Sequence, residues 1–113
     1  GEEQFKIWGS GRPLREFLYV DDLSKSIEFI LSNNITDNLL NVGSGEEVSI
    51  MNLAELVADT INYDGNLIFD STKPDGNPRK KIDSSKLNNY GWKNSINLKD
   101  GLKATYGWYL ENL

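Results

Sequence analysis

The run Lys73-Pro74-Asp75-Gly76-Asn77-Pro78 constrains this chain more than any other stretch. Proline lacks the backbone donor that a helix or an inner strand needs, and it also drives the residue before it out of the helical region. Pro74, Gly76 and Pro78 stand two apart, so no regular element can run through Asp70 to Lys81. The chain must therefore be an N-terminal part, an irregular loop and a C-terminal part.

Before the loop, Phe5-Lys6-Ile7-Trp8 alternates as a strand and enters a turn marked by Gly9, Gly11 and Pro13. Phe17 to Val20 reads as a second extended piece, and a helix follows from Asp21 or Asp22, with the two aspartates as caps. Its apolar stripe is Leu23, Ile27, Ile30 and Leu31, and Asn33-Asn34 ends it. Leu39 to Val42 reads as a short buried strand stopped by Gly43-Ser44-Gly45. Val48 to Ile50 is extended, Ser49 caps a second helix carrying Leu53, Leu56, Val57 and Ile61, and Leu67-Ile68-Phe69 is a further strand. After the loop, Asp83 starts a short helix that stops near Gly91. Asn97 and Asp100 cap a last helix whose buried side is Leu98, Leu102, Thr105, Tyr106 and Tyr109. Trp92 and Trp108 read as core.

The 113 residues make one domain's worth of sequence, shorter than a two-domain cofactor enzyme needs. The absence of cysteine and histidine removes disulfides, thiolate nucleophiles, zinc ligation and imidazole acid-base chemistry from this chain. A net charge of -5 argues against a nucleic-acid surface, and no apolar run is long enough to span a membrane. With no secretory signal visible, the expected location is cytoplasmic. Beginning at Gly1 and entering an apolar run by Phe5, the chain reads as a single fragment, 1–113, of something longer.

Two Gly-x-Gly pairs, Gly9/Gly11 and Gly43/Gly45, lack the third glycine of a dinucleotide fingerprint, Leu14 and Val48 standing in its place. They read as turns. No tyrosine has a lysine four residues on, so the reducing dyad of short-chain dehydrogenases is missing. Binding chemistry is better represented. Arg15 lies beside a tight turn, where its planar fork suits a phosphate, and the Trp8 indole can stack on a flat ring. The 73–81 segment holds Lys73, Arg79, Lys80 and Lys81 with one carboxylate, Asp75, on a stiffened backbone. Together these read as a diphosphate site, with cations for the phosphates and Asp75 for a ribose hydroxyl; read alone, the loop is a solvated connection.

These residues carry a resemblance. Trp8-Gly9-Ser10-Gly11, Arg15-Glu16-Phe17-Leu18-Tyr19-Val20-Asp21-Asp22 and Asn41-Val42-Gly43 are similar to the nucleotide-sugar epimerases and dehydratases of the extended short-chain dehydrogenase group. Lys73-Pro74-Asp75-Gly76-Asn77-Pro78-Arg79-Lys80 and Gly91-Trp92-Lys93 narrow the likeness to GDP-L-fucose synthases, in their C-terminal part. The resemblance implies an α/β substrate-binding lobe with short strands and about four helices, including an edge element of the Rossmann sheet. It implies a parent that epimerises and reduces GDP-4-keto-6-deoxy-mannose with NADPH, while this chain alone holds no cofactor and no catalytic residue and is inactive. The residues carried over bind the GDP-sugar: Trp8, Arg15, Asp75 and Lys80, together with Arg79. The implied partners are that substrate and either a second copy, through an exposed edge, or the missing N-terminal half. The alternatives are another nucleotide-sugar epimerase or dehydratase, or a stand-alone interaction module without ligand.

Overall fold

In a computed structural model, which describes residues 3–113, four strands and four helices follow one another in a mixed α/β order. The alternating Gln4–Trp8 run is β1, and it pairs in parallel with β4, Asn66–Asp70, so that Trp8 lies opposite Asp70. A second ribbon is antiparallel: β2, Leu14–Glu16, against β3, Glu47–Ser49, with Arg15 opposite Val48 and Glu16 opposite Glu47. The helices are α1, Val20–Ser32; α2, Ile50–Thr60; α3, Ser85–Tyr90; and α4, Leu98–Glu111.

Two N-caps fall where the sequence places them. The Ser49 hydroxyl accepts from Asn52 N at 3.1 Å, and the Asn97 side chain accepts from Asp100 N at 2.9 Å. Asp83 accepts from Ser85 N at 3.0 Å just ahead of α3, which ends at Gly91 in the left-handed region, φ 111°.

Four expectations are corrected. The second strand lies at Leu14–Glu16 rather than Phe17 to Val20, because the ladder with β3 ends at Glu16 and Val20 already belongs to α1. Asp21 and Asp22 sit inside the first turn of α1 and cap nothing; Tyr19 is the N-cap residue, without a side-chain bond. Residues 39–42 form no strand, since no segment among the described residues pairs with them, and Leu39 is 77% exposed. Trp108 is 65% exposed and Tyr109 and Thr105 also lie open, so the outer half of α4 has no cover, whereas Trp92 is buried as expected.

Asp22 has a different task. Its side chain is 1% exposed, and it accepts from Ser95 N at 3.1 Å, Ser95 Oγ at 3.0 Å and Ile96 N at 2.9 Å. The start of α1 is thus tied to the segment that leads into α4. Gly101 of α4 passes so close that a Cβ there would lie 3.2 Å from the Tyr19 Cβ. Only two large apolar side chains are buried among the described residues, Leu87 and Trp92.

The remaining apolar residues line up without being covered. Of the expected α1 stripe, Leu23, Ile27, Ile30 and Leu31, Ile30 is half-buried while Leu31 is 72% exposed. An apolar groove of about 300 Å³ opens between β1, β4 and α2, lined by residues such as Phe5, Ile7, Leu53, Val57 and Leu67. The dimensions give the reason. The chain is a slab of 52 × 35 × 17 Å with a radius of gyration of 16.8 Å, against about 13 Å for a globule of this length. Its accessible surface is 8211 Å², where a compact monomer of this mass exposes about 6,300 Å². The excess is larger than the roughly 800 Å² that one partner buries in a standard interface.

Burial by itself would raise the Asp22 carboxyl, but the Ile96 and Ser95 N–H groups and the Ser95 hydroxyl outweigh it and hold the group below its ordinary value of 3.8. A depressed carboxyl stabilises the fold above its unfolded value and loses that contribution as pH falls through the folded one. Asp22→Ala is expected to cost about 2–3 kcal/mol at neutral pH by orphaning these donors. The gap between the urea midpoints of the two proteins should be full above the ordinary carboxyl value, about pH 3.9, and narrow only as pH falls below it towards the depressed folded value; an equal gap at all pH values would rule this tie out.

Candidate functional site

The site is organised by the 70–81 loop, which runs back across the turn that follows β1. At its start, Asp70 accepts from the Thr72 hydroxyl and backbone N–H, and its own carbonyl accepts from Gly9 N at 2.9 Å and Lys73 N at 3.1 Å. Lys73 Nζ then lies 5.1 Å from the centre of the Trp8 ring, a cation-π distance. Trp8 is itself 71% exposed at the end of β1.

Asp75 is the next fastening. Its two oxygens accept from Ser10 N at 2.6 Å and Ser10 Oγ at 2.7 Å. The backbone N–H first, then the hydroxyl, hold this carboxyl below its usual range against partial desolvation, with the Arg12 charge assisting. Gly9 has φ +92°, and a Cβ there would meet the Asp75 carboxylate, so the turn admits the loop only as glycine. Gly11, φ +78°, likewise clears the Phe69 ring.

Arg15 lies in β2 and is half-buried, with Nη1 donating to its neighbour's carbonyl, Leu14 O, at 2.7 Å. Its Nη2 is about 4.0 Å from where a Cβ on Gly76 would sit, so the loop crosses directly over the guanidinium. Leu14 N then donates to Pro78 O at 2.9 Å, and Leu14 and Arg79 form a parallel bridge. Arg79 donates from Nε and Nη2 to the Glu47 carboxylate at 2.6 and 2.8 Å. This hydrogen-bonded charge pair lowers the Glu47 carboxyl and raises the Arg79 guanidinium. Lys80 and Lys81 follow, lining an open pocket of about 620 Å³ with Arg79, Gly45, Ser84, Ser85 and Asn88 on its other walls.

The five residues expected at a site therefore fall into two groups along the course of the 70–81 loop. Trp8, Arg15 and Asp75 meet around the Ser10 turn, whereas Arg79 and Lys80 stand at the cationic pocket beyond Glu47. Sequence reasoning passed over Ser10 and Glu47 as participants. Lys73 was visible only as one of four cations, and nothing in the local pattern around Glu47 announces a partner 32 residues away. Neither Gly-x-Gly pair opens a helix, so neither fits a dinucleotide cradle.

The geometry can be set beside known proteins. A sequence profile for the NAD dependent epimerase/dehydratase family matches residues 1–43. A protein named "Putative GDP-L-fucose synthase 2" from Arabidopsis thaliana is 53% identical over 98% of this chain and 34% of its own length. The likeness is to GDP-L-fucose synthases. Two solved structures carry the same fold. A GDP-6-OMe-4-keto-L-xylo-heptose reductase from C. jejuni superimposes with a TM-score of 0.88 at 30% identity, over 98% of this chain and 35% of that one. A GDP-L-fucose synthetase from Naegleria fowleri bound to NADP superimposes with a TM-score of 0.84 at 30% identity, over 96% and 35%. This chain thus spans about a third of the length of the GDP-L-fucose synthases it resembles. Its α/β fold is that of the corresponding part of these reductases and epimerases.

The Asp75 clamp makes a direct prediction. Asp75→Ala is expected to speed amide hydrogen exchange at Ser10 and through residues 72 to 78 without altering exchange in α2 or α4. Unchanged exchange at Ser10 would show that the loop is held by its other fastenings.

Proposed function

We propose that this chain forms the nucleotide-sugar-binding lobe of a GDP-L-fucose synthase-like enzyme. The parent would epimerise GDP-4-keto-6-deoxy-mannose and reduce it with NADPH. The observation that carries this reading is the pinned loop: bonds at Ser10, Leu14 and Glu47 set an exposed indole, a carboxylate, Arg15 and four further cations along one rim. A diphosphate needs fixed donors of positive charge, and a prearranged rim supplies them with little ordering cost. Arg15 takes a phosphate through its free guanidinium edge, Trp8 stacks on a planar ring or sugar, and Asp75 accepts from a ribose hydroxyl with the lone pairs that Ser10 leaves over. Lys80 and Arg79 face the remaining anionic charge.

NADP would belong to the parent, bound by residues outside this chain. The residues that transfer hydride and protons would lie outside it too. That assignment also accounts for the uncovered stripe on α1 and the groove beside α2: the rest of the enzyme would bury both. Alone, the chain is expected to self-associate through these faces, and light scattering coupled to size exclusion should find dimers or larger species.

Calorimetric titration with GDP, UDP and NADPH tests the reading. GDP is expected to bind best, with Arg15→Ala weakening it about tenfold, the equivalent of one charge-assisted pair. Equal binding of UDP would favour another nucleotide-sugar epimerase or dehydratase. Absence of nucleotide binding would leave an interaction module, and NADPH binding more tightly than GDP would overturn the assignment.

A further inference from the structure

The Arg79–Glu47 pair is more than a loop fastening. A guanidinium carries five N–H donors on three edges. Glu47 engages the Nε and Nη2 edge at 2.6 and 2.8 Å, leaving both Nη1 protons and one on Nη2 unclaimed by it. The Glu47 side chain is only 14% exposed and sits on β3, whereas that of Arg79 is 60% exposed and lines the Lys80/Lys81 pocket. A largely buried acceptor thus grips the Nε–Nη2 edge of a side chain that also lines a cationic cavity.

A second feature lies beside the pair. Glu47 lies directly opposite Glu16 in the β2–β3 ladder, which places the two side chains on one face. Glu16 Oε2 is buried without a hydrogen-bond partner. Glu16 thus offers Glu47 no cationic partner on that side, and the Glu47 carboxylate is engaged by Arg79. The pocket itself collects Arg79, Lys80 and Lys81 against a single carboxylate, Asp83, which is already bound to Ser85 N.

We infer that Glu47 is the positioning residue of this site, holding Arg79 so that its free edge and Lys80 take a phosphate group together. The inference rests on the nucleotide-sugar reading for the source of that phosphate, though the anion pocket stands on its own geometry. Its sign is unusual. If Glu47 acted only as a nearby negative charge, removing it would strengthen anion binding. As a positioning residue, its removal weakens binding, because the freed Arg79 side chain must be ordered by each incoming ligand.

The test is calorimetric titration of the chain with pyrophosphate and, separately, with GDP, for the wild type, Glu47→Gln, Arg79→Ala and the double variant. Glu47→Gln is expected to weaken both ligands about fivefold in spite of the lost negative charge, and Arg79→Ala about tenfold. The double variant should bind no more weakly than Arg79→Ala, since Glu47 acts only through Arg79. Glu47→Asp, which keeps the charge but retracts it by one methylene, should also weaken binding and guards against misfolding of the first variant. Binding to Glu47→Gln that is unchanged or tighter overturns the inference. Pyrophosphate binding that depends on Glu47, without any preference for GDP, supports the inference and overturns the nucleotide-sugar reading. GDP binding that ignores Glu47 does the reverse, and a folded wild type that binds neither ligand overturns both.

Discussion

The buried Asp22 carboxylate joins parts of this chain that little apolar packing holds together. A slab 17 Å thick is too thin to surround a core, and only Leu87 and Trp92 are buried among the large apolar side chains of the described residues. Order across the slab must then come from directed polar bonds. Asp22 supplies three of them, from the first turn of α1 to the residues that enter α4, at a site dry enough for each bond to count. The position of α4, and through it the seat of α2, follows from that junction.

The same economy of packing governs the candidate site. The 70–81 loop keeps its course through a series of polar fastenings, at Ser10 in the turn after β1, at Leu14 of β2 and at Glu47 of β3. Two prolines limit what the backbone can do between those points. The outcome is a polar rim held in place while an apolar stripe on α1 and a groove beside α2 remain uncovered. Such a division suits a piece whose rim meets a charged small molecule and whose faces meet other protein.

Legibility in the sequence followed the range of the interactions. Helix existence, the Ser49 and Asn97 caps, the Gly91 stop and the break at Pro74 to Pro78 were all readable, because each depends on residues within a few positions. The Phe17 to Val20 strand was misread for an equally local reason: its aromatic and β-branched residues suit a strand, but the ladder that decides the matter ends at Glu16 with β3. Residues 39–42 show the same limit, since an extended run becomes a strand only when another segment offers its hydrogen bonds. Asp22 looked like a cap because an acidic residue at a helix start usually acts locally. Its true partners lie 73 and 74 residues downstream.

What the sequence determined by itself was therefore the inventory: the elements, the cation-rich loop and the residues able to hold a phosphate. Which of them meet was decided only by tertiary structure. Trp8, Arg15 and Asp75 gather at the Ser10 turn, while Arg79 and Lys80 stand apart at the pocket beside Glu47. The physical reason is that a carboxylate or a guanidinium reveals its chemistry in one letter, but its partner is chosen by where the backbone folds. Pairs such as Asp75 with Ser10, 65 residues apart, exist only after β1 and β4, the strands that lead into them, have joined.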